Sequence, residues 1–349
     1  MAEPILQADS GRATTPRVTV AIPTFNGEAL LGDLLTQVFS QETDFTFEAI
    51  VADSGSTDGT LPIISAFPAV KLIQIPNEEF GHGSTRNLLV SNALGEIVVF
   101  LTQDAVPVSR HWLSEMIRPF DEIGPQLGAA FGKQVPRPDC CPMVKRDILA
   151  AFEDFGADHV ITIQAWRPDL KQSEQDALGF LSNVNSAARR SVLEDIPFED
   201  IRYCEDQAFG RSVIKGGYLK AYVPKAAVLH SHSFGPRDYF RRMVDEFYGL
   251  RESVGYTADV TRLQVAFSWI RPASQDMIFL LRDESYSRRA KLRWAVRVPF
   301  YSVGRLVAMR MAANAQSSAP SARLSLEAVQ KKRAASLPEE STFENDFND

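Results

Sequence analysis

The sequence predicts an α/β protein with a mostly parallel central sheet flanked by helices, plus a helical C-terminal extension. The first observation is that short apolar, β-branched runs alternate with segments whose apolar residues recur at helical spacing. The second is that turn-rich polar segments directly follow several of these runs. Apolar runs without polar alternation are typical of strands covered on both faces, as in parallel sheets.

Each predicted element follows from its local pattern. The first apolar run is β-branched and ends at Pro23, and the segment after it carries apolar residues at helical spacing. Along the first half, we predict strands at 18–22, 47–52, 70–75 and 96–101 and helices at 29–40, 60–66 and 84–93. In the less regular second half, we predict strands at 180–187 and 219–229 and helices at 207–215, 238–254 and 288–313.

Composition and charge narrow the class of protein. A hydrophobic fraction of 45% with 23% charged residues predicts a packed core. The net charge of −7 argues against nucleic acid as the main partner, because neutralising phosphates needs a basic surface. The sequence lacks both a membrane-span-length apolar run and a secretion-signal pattern, so we expect a cytoplasmic protein. The three cysteines form no C-x-x-C pair and are predicted to be reduced thiols.

Four polar segments lie where predicted strands end. They are 23–26, 53–59, 77–87 and 102–107. Ligands of open α/β sheets bind beyond the carboxyl ends of the strands. We therefore expect these segments to form the binding site.

Short motifs occur in order at these positions and further along the chain. They are Ile-Pro-Thr-Phe-Asn at 22–26, Asp-Ser-Gly-Ser-Thr-Asp-Gly-Thr at 53–60, Thr-Gln-Asp at 102–104 and Glu-Asp at 205–206. Together they resemble the family 2 inverting glycosyltransferases of the GT-A fold. The segment Phe-Gly-His-Gly-Ser-Thr-Arg-Asn at 80–87 and His-Ser-His at 230–232 resemble the bacterial rhamnosyltransferases of that family.

The resemblance implies a domain organisation and a reaction. It covers roughly residues 17–255, taken as one GT-A domain with a nucleotide-sugar half (17–130) and an acceptor half (131–255). A lead-in (1–16), a helical extension (256–314) and a mostly disordered tail (315–349, with a helical stretch near 324–334) complete the chain. The implied reaction moves L-rhamnose from dTDP-L-rhamnose to a hydroxyl of a glycan or polyprenyl-linked acceptor during cell-surface polysaccharide synthesis. UDP- and GDP-linked donors, and a homo-oligomer, stay open.

The donor-binding residues are assigned by this resemblance. Asp53 would contact the nucleotide base, although Asp in such a segment also suits plain turn formation. Arg86 lies in a glycine-containing loop, and its guanidinium suits phosphate or base contacts; the alternative is a surface arginine. Asp58 is predicted to cap the following helix. The resemblance also places these residues at the donor: Pro23, Thr24, Asn26 and Gln103.

A divalent cation, Mg²⁺ or Mn²⁺, is expected at Asp104, because such ions take carboxylate and diphosphate oxygens. The family usually has Asp-x-Asp here, whereas this sequence keeps only the last acid. The missing first acid, which often touches the ribose in related folds, would suit a deoxyribose nucleotide. His230 and His232 share a face of an extended segment. The resemblance favours His232 as a second metal ligand.

The reaction needs a base that removes the acceptor proton. By resemblance Asp206 is this base, with Glu205 orienting it or binding acceptor. The alternative is that both acids only favour a helix N-terminus through the helix dipole. Arg211 is assigned to the diphosphate. Asn183 and Asn185 are predicted to alternate along a strand and line the acceptor pocket.

The basic, aromatic-bearing segment 288–313 leaves two interpretations open. An amphipathic helix of this kind can lie on an anionic membrane, at the inner face of the plasma membrane in this case. It can equally pack on the core or form a dimer interface. Pro299 is expected to break or kink it.

Two rival functions are weighed. A nucleotidyltransferase would need a glycine-rich basic loop after the first strand, which residues 23–27 lack. A non-catalytic nucleotide-sugar-binding scaffold is kept open by the incomplete acid pair at Thr102–Asp104. The joint presence of Asp53, Arg86, Asp104, Glu205 and Asp206 argues against it.

Overall fold

The structure is a computed structural model that describes residues 15–255, 260–315, 319–326, 328, 329 and 332. The predicted lead-in and most of the predicted tail, with part of the 324–334 stretch, lie outside these residues. The chain divides into two compact units. The first consists of Met1–Arg137 and Asp147–Ser231, and the second of Pro138–Arg146 and His232–Asp349. The domain boundaries at 17, 131 and 256 stay predictions.

The first unit is built on a nine-stranded mixed sheet. Its strands are β1 (Val18–Thr24), β2 (Phe47–Asp53), β3 (Val70–Gln74), β4 (Ile97–Leu101), β5 (Val106–Pro107), β6 (Leu127–Val135), β7 (Thr162–Gln164), β8 (Asn185–Arg189) and β9 (Leu219–Leu229). The strand order is β3-β2-β1-β4-β8-β6-β9-β5, with β7 also on β9. Strands β3, β2, β1 and β4 are parallel, while β8 is antiparallel to both β4 and β6.

Helices cover this sheet and make up the second unit. Those before residue 232 are α1 (Leu31–Phe39), α2 (Thr60–Ser65), α3 (His82–Ser91), α4 (Trp112–Ile123), α5 (Pro142–Glu153), α6 (Gln172–Gly179), α7 (Arg190–Asp195) and α8 (Glu205–Lys215). Those after it are α9 (Pro236–Val254), α10 (Arg262–Phe267), α11 (Ile270–Arg282) and α12 (Arg288–Ala313). Among the described residues, no helix is both long and apolar enough to cross a bilayer.

The core of the first unit explains why the apolar runs form strands. Along β4, Val99 packs with the leucines of α1 in one buried cluster, whereas Val98 and Phe100 pack in another with Leu89 of α3. All five side chains of β4 are at most 1% exposed. A strand buried on both faces has no polar alternation, which is the pattern its sequence shows. Its polar loop therefore emerges at the rim of the sheet.

Strand β6 was not predicted from the sequence, and the glycines within it explain in part why its sequence does not look like a strand. A Cβ on Gly132 would lie 2.0 Å from the carbonyl oxygen of Ala226 on the neighbouring strand. Only glycine permits this approach of the two backbones. Because glycine weakens a local strand signal, β6 depends on long-range packing that a local pattern does not reveal.

Two predicted elements need correction. The strand predicted at 180–187 begins only at Asn185, because the backbone turns just before it, with Asn185 N–H donating to Ser182 O at 3.0 Å. Pro299 does not break α12, which runs unbroken from Arg288 to Ala313. A proline removes one helical hydrogen bond, and the buried side chains of Trp294 and Tyr301, on either side of it, pack the helix into the core of the second unit.

Candidate active site

The loops after β1 and β2 are joined at the carboxyl edge of the sheet. Asn26 adopts a left-handed backbone conformation with φ of 48°, which asparagine tolerates well. Its N–H donates to Ser56 Oγ at 2.8 Å, and its Oδ1 accepts from Thr57 N–H at 2.8 Å. Pro23 is half-buried within β1 and lies beside Ala52 of β2. The first two motifs are therefore hydrogen-bonded to each other at this edge of the sheet.

Asp53 forms the turn that was the alternative to a donor contact. Its carboxylate is fully buried and accepts from Gly55 N–H and Ser56 N–H, both at 3.1 Å, and from the Ser56 hydroxyl. Asp58 accepts from Thr60 N–H at 3.0 Å, but the residue at the N-cap of α2 is Gly59, so the predicted cap was placed one residue too early. The contact of Asp53 with a nucleotide base stays a prediction.

Gln103 binds the loop after β1 through its side-chain amide. Its Oε1 accepts from Thr24 Oγ1 at 2.6 Å and from Phe25 N–H at 2.8 Å, and its Nε2 donates to Phe25 O at 3.0 Å. A Cβ on Gly27 would lie 2.7 Å from the same Oε1. Gln103 and Thr24 thus shape the loop that begins the site, whereas their donor contacts stay predictions.

A carboxylate and an imidazole lie together at the end of β4. Asp104 Oδ2 is 3.6 Å from His230 Nε2, and Thr102 Oγ1 donates to Asp104 Oδ1 at 2.9 Å. His230 is only 7% exposed and follows β9, where its N–H donates to Val135 O at 3.0 Å. The resemblance favours His232 as the second metal ligand, whereas His230 is the histidine that the first unit places against Asp104.

The His230 ring is held by a neighbouring amide. Its Nδ1 is 2.9 Å from Gln134 Oε1, and Gln134 Nε2 donates to Ser182 Oγ at 3.0 Å. Because an amide oxygen only accepts, Nδ1 is the ring nitrogen that donates to Gln134, and in the neutral imidazole the Nε2 lone pair then faces Asp104. Metal-binding histidines are commonly oriented in this way by a second hydrogen bond.

This donor set fits a divalent cation. A carboxylate oxygen and a neutral imidazole nitrogen are both suitable ligands, and His232 adds a third candidate two residues along the chain. Two residues of extended chain span about 7 Å, so connectivity alone keeps His232 near His230. Arg137 braces the same region, donating from its guanidinium to Asp104 O at 2.8 Å and from its N–H to Ser231 Oγ at 3.0 Å.

Two acids begin α8, where Cys204 turns the chain with a left-handed φ of 63°. Glu205 is buried, and its Oε1 lies 2.8 Å from Arg86 NH1 and accepts from Asn183 Nδ2 at 3.2 Å. Asp206 Oδ2 accepts from Asn183 N–H at 3.1 Å, and Oδ1 from Gln207 N–H at 2.8 Å. Asp206 is largely surrounded by protein but is the more exposed acid of the pair, so it is the one that a substrate can reach.

The environment moves the pKa values of these two acids in opposite directions. Burial favours a raised pKa for Glu205, but the Arg86 guanidinium, followed by His82 and Asn183, outweighs it and lowers the pKa. Burial, together with the negative charge of Glu205, raises the pKa of Asp206 to about 7. A carboxylate with a pKa near neutrality is suited to take a proton at physiological pH.

The Asp104 loop and Asp206 converge on one segment. Thr102 N–H donates to Val184 O at 3.4 Å, and Asn183, one residue earlier, donates to Asp206. Residues from 102–104, 183–184 and 205–206 therefore meet at the edge where β4 and β8 pair.

The structure places three further predicted site residues, Asn185, Arg86 and Arg211, in different surroundings from those that the sequence indicates. Asn185 does not share a face with Asn183: it is fully buried, accepting from Trp112 Nε1 at 3.1 Å and donating to Ala226 O at 2.7 Å. Arg86 is 5% exposed and engages Glu205, so it is not a surface arginine. Arg211 lies further along α8, beside Gly179. The acceptor and diphosphate roles of Asn185 and Arg211 stay predictions.

Sequence comparisons agree with this kind of site. Residues 19–196 match the family described as Glycosyl transferase family 2. The chain is 32% identical over 232 residues to the O-antigen chain rhamnosyltransferase RfbN of Salmonella typhimurium, covering 66% of this chain and 71% of the relative. It is 27% identical over 220 residues to an N-acetylglucosaminyl-diphospho-decaprenol L-rhamnosyltransferase of Mycobacterium tuberculosis, covering 56% and 71%.

A solved structure shares the fold. The mannosyltransferase PcManGT of Pyrobaculum calidifontis, in complex with GDP-Man and Mn²⁺, matches with a TM-score of 0.50 and 21% identity, over 93% of this chain and 81% of that one. The fold and the site together define a glycosyltransferase with a GT-A-like sheet. The chain belongs to glycosyl transferase family 2.

Proposed function

We propose that this glycosyltransferase moves L-rhamnose from dTDP-L-rhamnose to a hydroxyl of a glycan or lipid-linked acceptor in cell-surface polysaccharide synthesis, inverting the anomeric centre. The observation that carries the proposal is the meeting of residues 102–104, 183–184 and 205–206, which places Asp206 at the edge that also holds Asp104 and His230. The names of the two rhamnosyltransferase relatives support the sugar and the kind of product. The acceptor named for the mycobacterial relative supports a lipid-linked glycan, and with it a location at the cytoplasmic face of a membrane.

Asp206 serves as the general base in this proposal. Two backbone N–H groups fix its carboxylate, one on each oxygen, and each oxygen keeps a further lone pair for the acceptor hydroxyl. The acceptor oxygen attacks the anomeric carbon as its proton passes to Asp206, and the bond to the nucleoside diphosphate breaks on the opposite face. Attack opposite the leaving group inverts the centre in one step, so the protein forms no covalent intermediate.

Asp104 and His230, with His232, would hold the divalent cation, Mg²⁺ or Mn²⁺. When bound, such an ion supplies positive charge that stabilises the departing nucleoside diphosphate. Gln134 fixes the tautomer and orientation of His230, and Arg137 holds the backbone of Asp104. Glu205 is charged and paired with Arg86, and its role is to position Asn183 and to hold the pKa of Asp206 near neutrality.

The choice of dTDP as the donor nucleotide depends on Thr102, which lies at the position where the family usually has an acid. Its hydroxyl donates to Asp104 and offers no negative charge to a ribose. We expect dTDP to bind roughly tenfold more tightly than UDP, about the worth of one hydrogen bond. Calorimetric titration with Mn²⁺ and, in turn, dTDP, dUDP, UDP and GDP checks this. Comparing dUDP with UDP isolates the 2′-hydroxyl, and dTDP with dUDP isolates the base methyl.

The Thr102→Asp variant gives the matched control, because restoring the acid should narrow the difference between dUDP and UDP. A preference for GDP would remove the rhamnose assignment and leave the transferase assignment standing. Equal affinity for all four nucleotides would remove the proposed role of Thr102.

The raised pKa of Asp206 predicts a pH dependence. The base acts only when deprotonated, so kcat/KM should rise with pH up to about 7 and level off above it. At a pH one unit lower, about a tenth of the maximal rate remains. In Glu205→Gln a negative charge beside Asp206 is lost, so the acid limb should move to lower pH. Initial rates of the parent enzyme and of Glu205→Gln, measured from about one pH unit below to one above the pKa of Asp206, test both expectations. If the pH at which kcat/KM reaches half its maximum is the same in both enzymes, Glu205 does not raise the pKa of Asp206.

A further inference from the structure

The second unit carries a concentration of exposed apolar side chains. Of the thirteen large hydrophobic residues that are exposed in the described part of the chain, eight lie on α10, α11 and α12. They are Leu263, Phe267, Ile270, Ile278, Leu281, Leu292, Val296 and Phe300. Single exposed apolar residues are ordinary on protein surfaces, whereas a concentration on three consecutive helices marks an interaction surface.

Helix α12 has two apolar faces. Leu292, Val296 and Phe300 follow one another at intervals of four residues, so they line one side of the helix, and each is at least 66% exposed. Trp294 and Tyr301 lie on the other side and are buried in the core of the second unit. One face of the helix therefore packs in the core of the second unit, and a second apolar face stays exposed. Core packing and membrane binding are thus compatible in this helix.

The same region is strongly basic in an acidic protein. Residues 260–315 contain ten lysines and arginines and three acids, while the whole chain has a net charge of −7. Two of the three acids are engaged within the unit: Asp276 with Arg146 at 3.0 Å and Asp283 with Lys145 at 2.6 Å. The basic residues 289, 293 and 297 recur at the same four-residue interval beside the apolar row of α12.

We propose that the outward faces of α10, α11 and α12 bind the surface of an anionic lipid bilayer. The apolar side chains enter the boundary between headgroups and acyl chains, and the arginines pair with lipid phosphates. A second copy of the chain fits this surface less well. In a symmetric dimer the same patch would face itself, so the excess of positive charge would repel. A bilayer offers apolar depth and negative charge together.

Vesicle co-sedimentation tests the proposal independently of sugar transfer. The probes are vesicles of phosphatidylcholine alone and vesicles in which about one third is phosphatidylglycerol, whose surface is anionic. The full chain is expected to bind the anionic vesicles, to bind the neutral ones roughly tenfold less, and to lose binding as salt is raised. The triple variant Leu292→Ser, Val296→Ser, Phe300→Ser should lower binding to anionic vesicles by tenfold or more.

A matched control changes three exposed apolar residues of the first unit: Leu94→Ser, Val108→Ser and Val160→Ser. It should bind like the parent chain. An unfolding temperature for each variant, measured by circular dichroism, shows that these exposed substitutions leave the fold in place. The proposal is overturned if the parent chain does not co-sediment with anionic vesicles. It is overturned too if the α12 variant and the control variant bind these vesicles equally well. It is also overturned if the α12 variant only dissociates a dimer, seen by light scattering, without changing vesicle binding.

Discussion

Replacing Asp206 with Asn is expected to lower kcat by roughly 10²- to 10⁴-fold, the usual contribution of a positioned general base. An amide cannot take the acceptor proton at neutral pH. It can still accept one of the two backbone N–H groups that hold the carboxylate, from Asn183 or Gln207, so the helix start is retained. Affinity for the donor should change little, because Asp206 acts on the acceptor side.

The rate of sugar transfer in a single turnover measures the loss of the base, and the donor dissociation constant from calorimetry shows whether donor binding has changed. The control is Asp195→Asn, an exposed carboxylate at the end of α7, which should transfer sugar like the parent enzyme. If Asp206→Asn keeps turnover within about threefold of the parent, far less than a base contributes, another group takes the proton.

Replacing Asp104 with Asn is expected to weaken Mn²⁺ affinity by roughly 100-fold or more, and to reduce transfer in proportion. The substitution removes the negative charge of the proposed site while nearly preserving the side-chain shape, and hard divalent cations depend on carboxylate oxygens. His230→Gln should act in the same direction. Gln134→Leu should weaken Mn²⁺ affinity by about 10- to 100-fold, because it removes the hydrogen bond that orients the His230 ring but leaves every proposed ligand in place.

Mn²⁺ titration followed by electron paramagnetic resonance, with a nucleoside diphosphate present, measures this directly. Chelation with EDTA should abolish transfer in the parent enzyme, and added Mg²⁺ or Mn²⁺ should restore it. The matched control is Asp169→Asn, an exposed carboxylate in a loop of the first unit. Undiminished Mn²⁺ affinity in Asp104→Asn would contradict the assigned metal site.

The local pattern of the chain was sufficient for the parallel half of the sheet. Strands such as β4 are buried on both faces and so leave an unbroken apolar run, and the polar residues that follow must lie at the rim. The position of Asp104 could therefore be predicted without coordinates. The antiparallel position of β8 could not, because its pairing with β4 joins residues more than eighty positions apart and leaves no local periodicity.

The chemistry of the carboxylate pair depended on contacts that the sequence does not record. Arg86 and Glu205 are more than a hundred residues apart, and no local pattern indicates the ion pair between them. The predicted donor contact of Arg86 stays a prediction. Spacing alone likewise does not distinguish His230 from His232. A hydrogen bond from its ring to Gln134 decides which nitrogen faces Asp104.

Asp53 and Asn185 show the limit of reasoning from residue type. An aspartate at a strand end suits a base contact and a turn equally, and the structure shows its carboxylate bonded to the turn. An asparagine near a site can instead satisfy buried groups, as Asn185 does for the Trp112 indole and the Ala226 carbonyl. Polar groups in a protein interior need such partners.

A crystal structure with Mn²⁺ and dTDP bound would show, through the anomalous signal of the metal, whether Asp104 and His230 hold the ion beside the proposed base Asp206. We expect one Mn²⁺ ion within about 2.5 Å of an Asp104 carboxylate oxygen and of His230 Nε2. We also expect the diphosphate to contact this ion at the edge of the sheet where Asp206 lies. An ion bound away from Asp104, or a diphosphate with Asp206 on the far side of the sheet, would contradict this assignment.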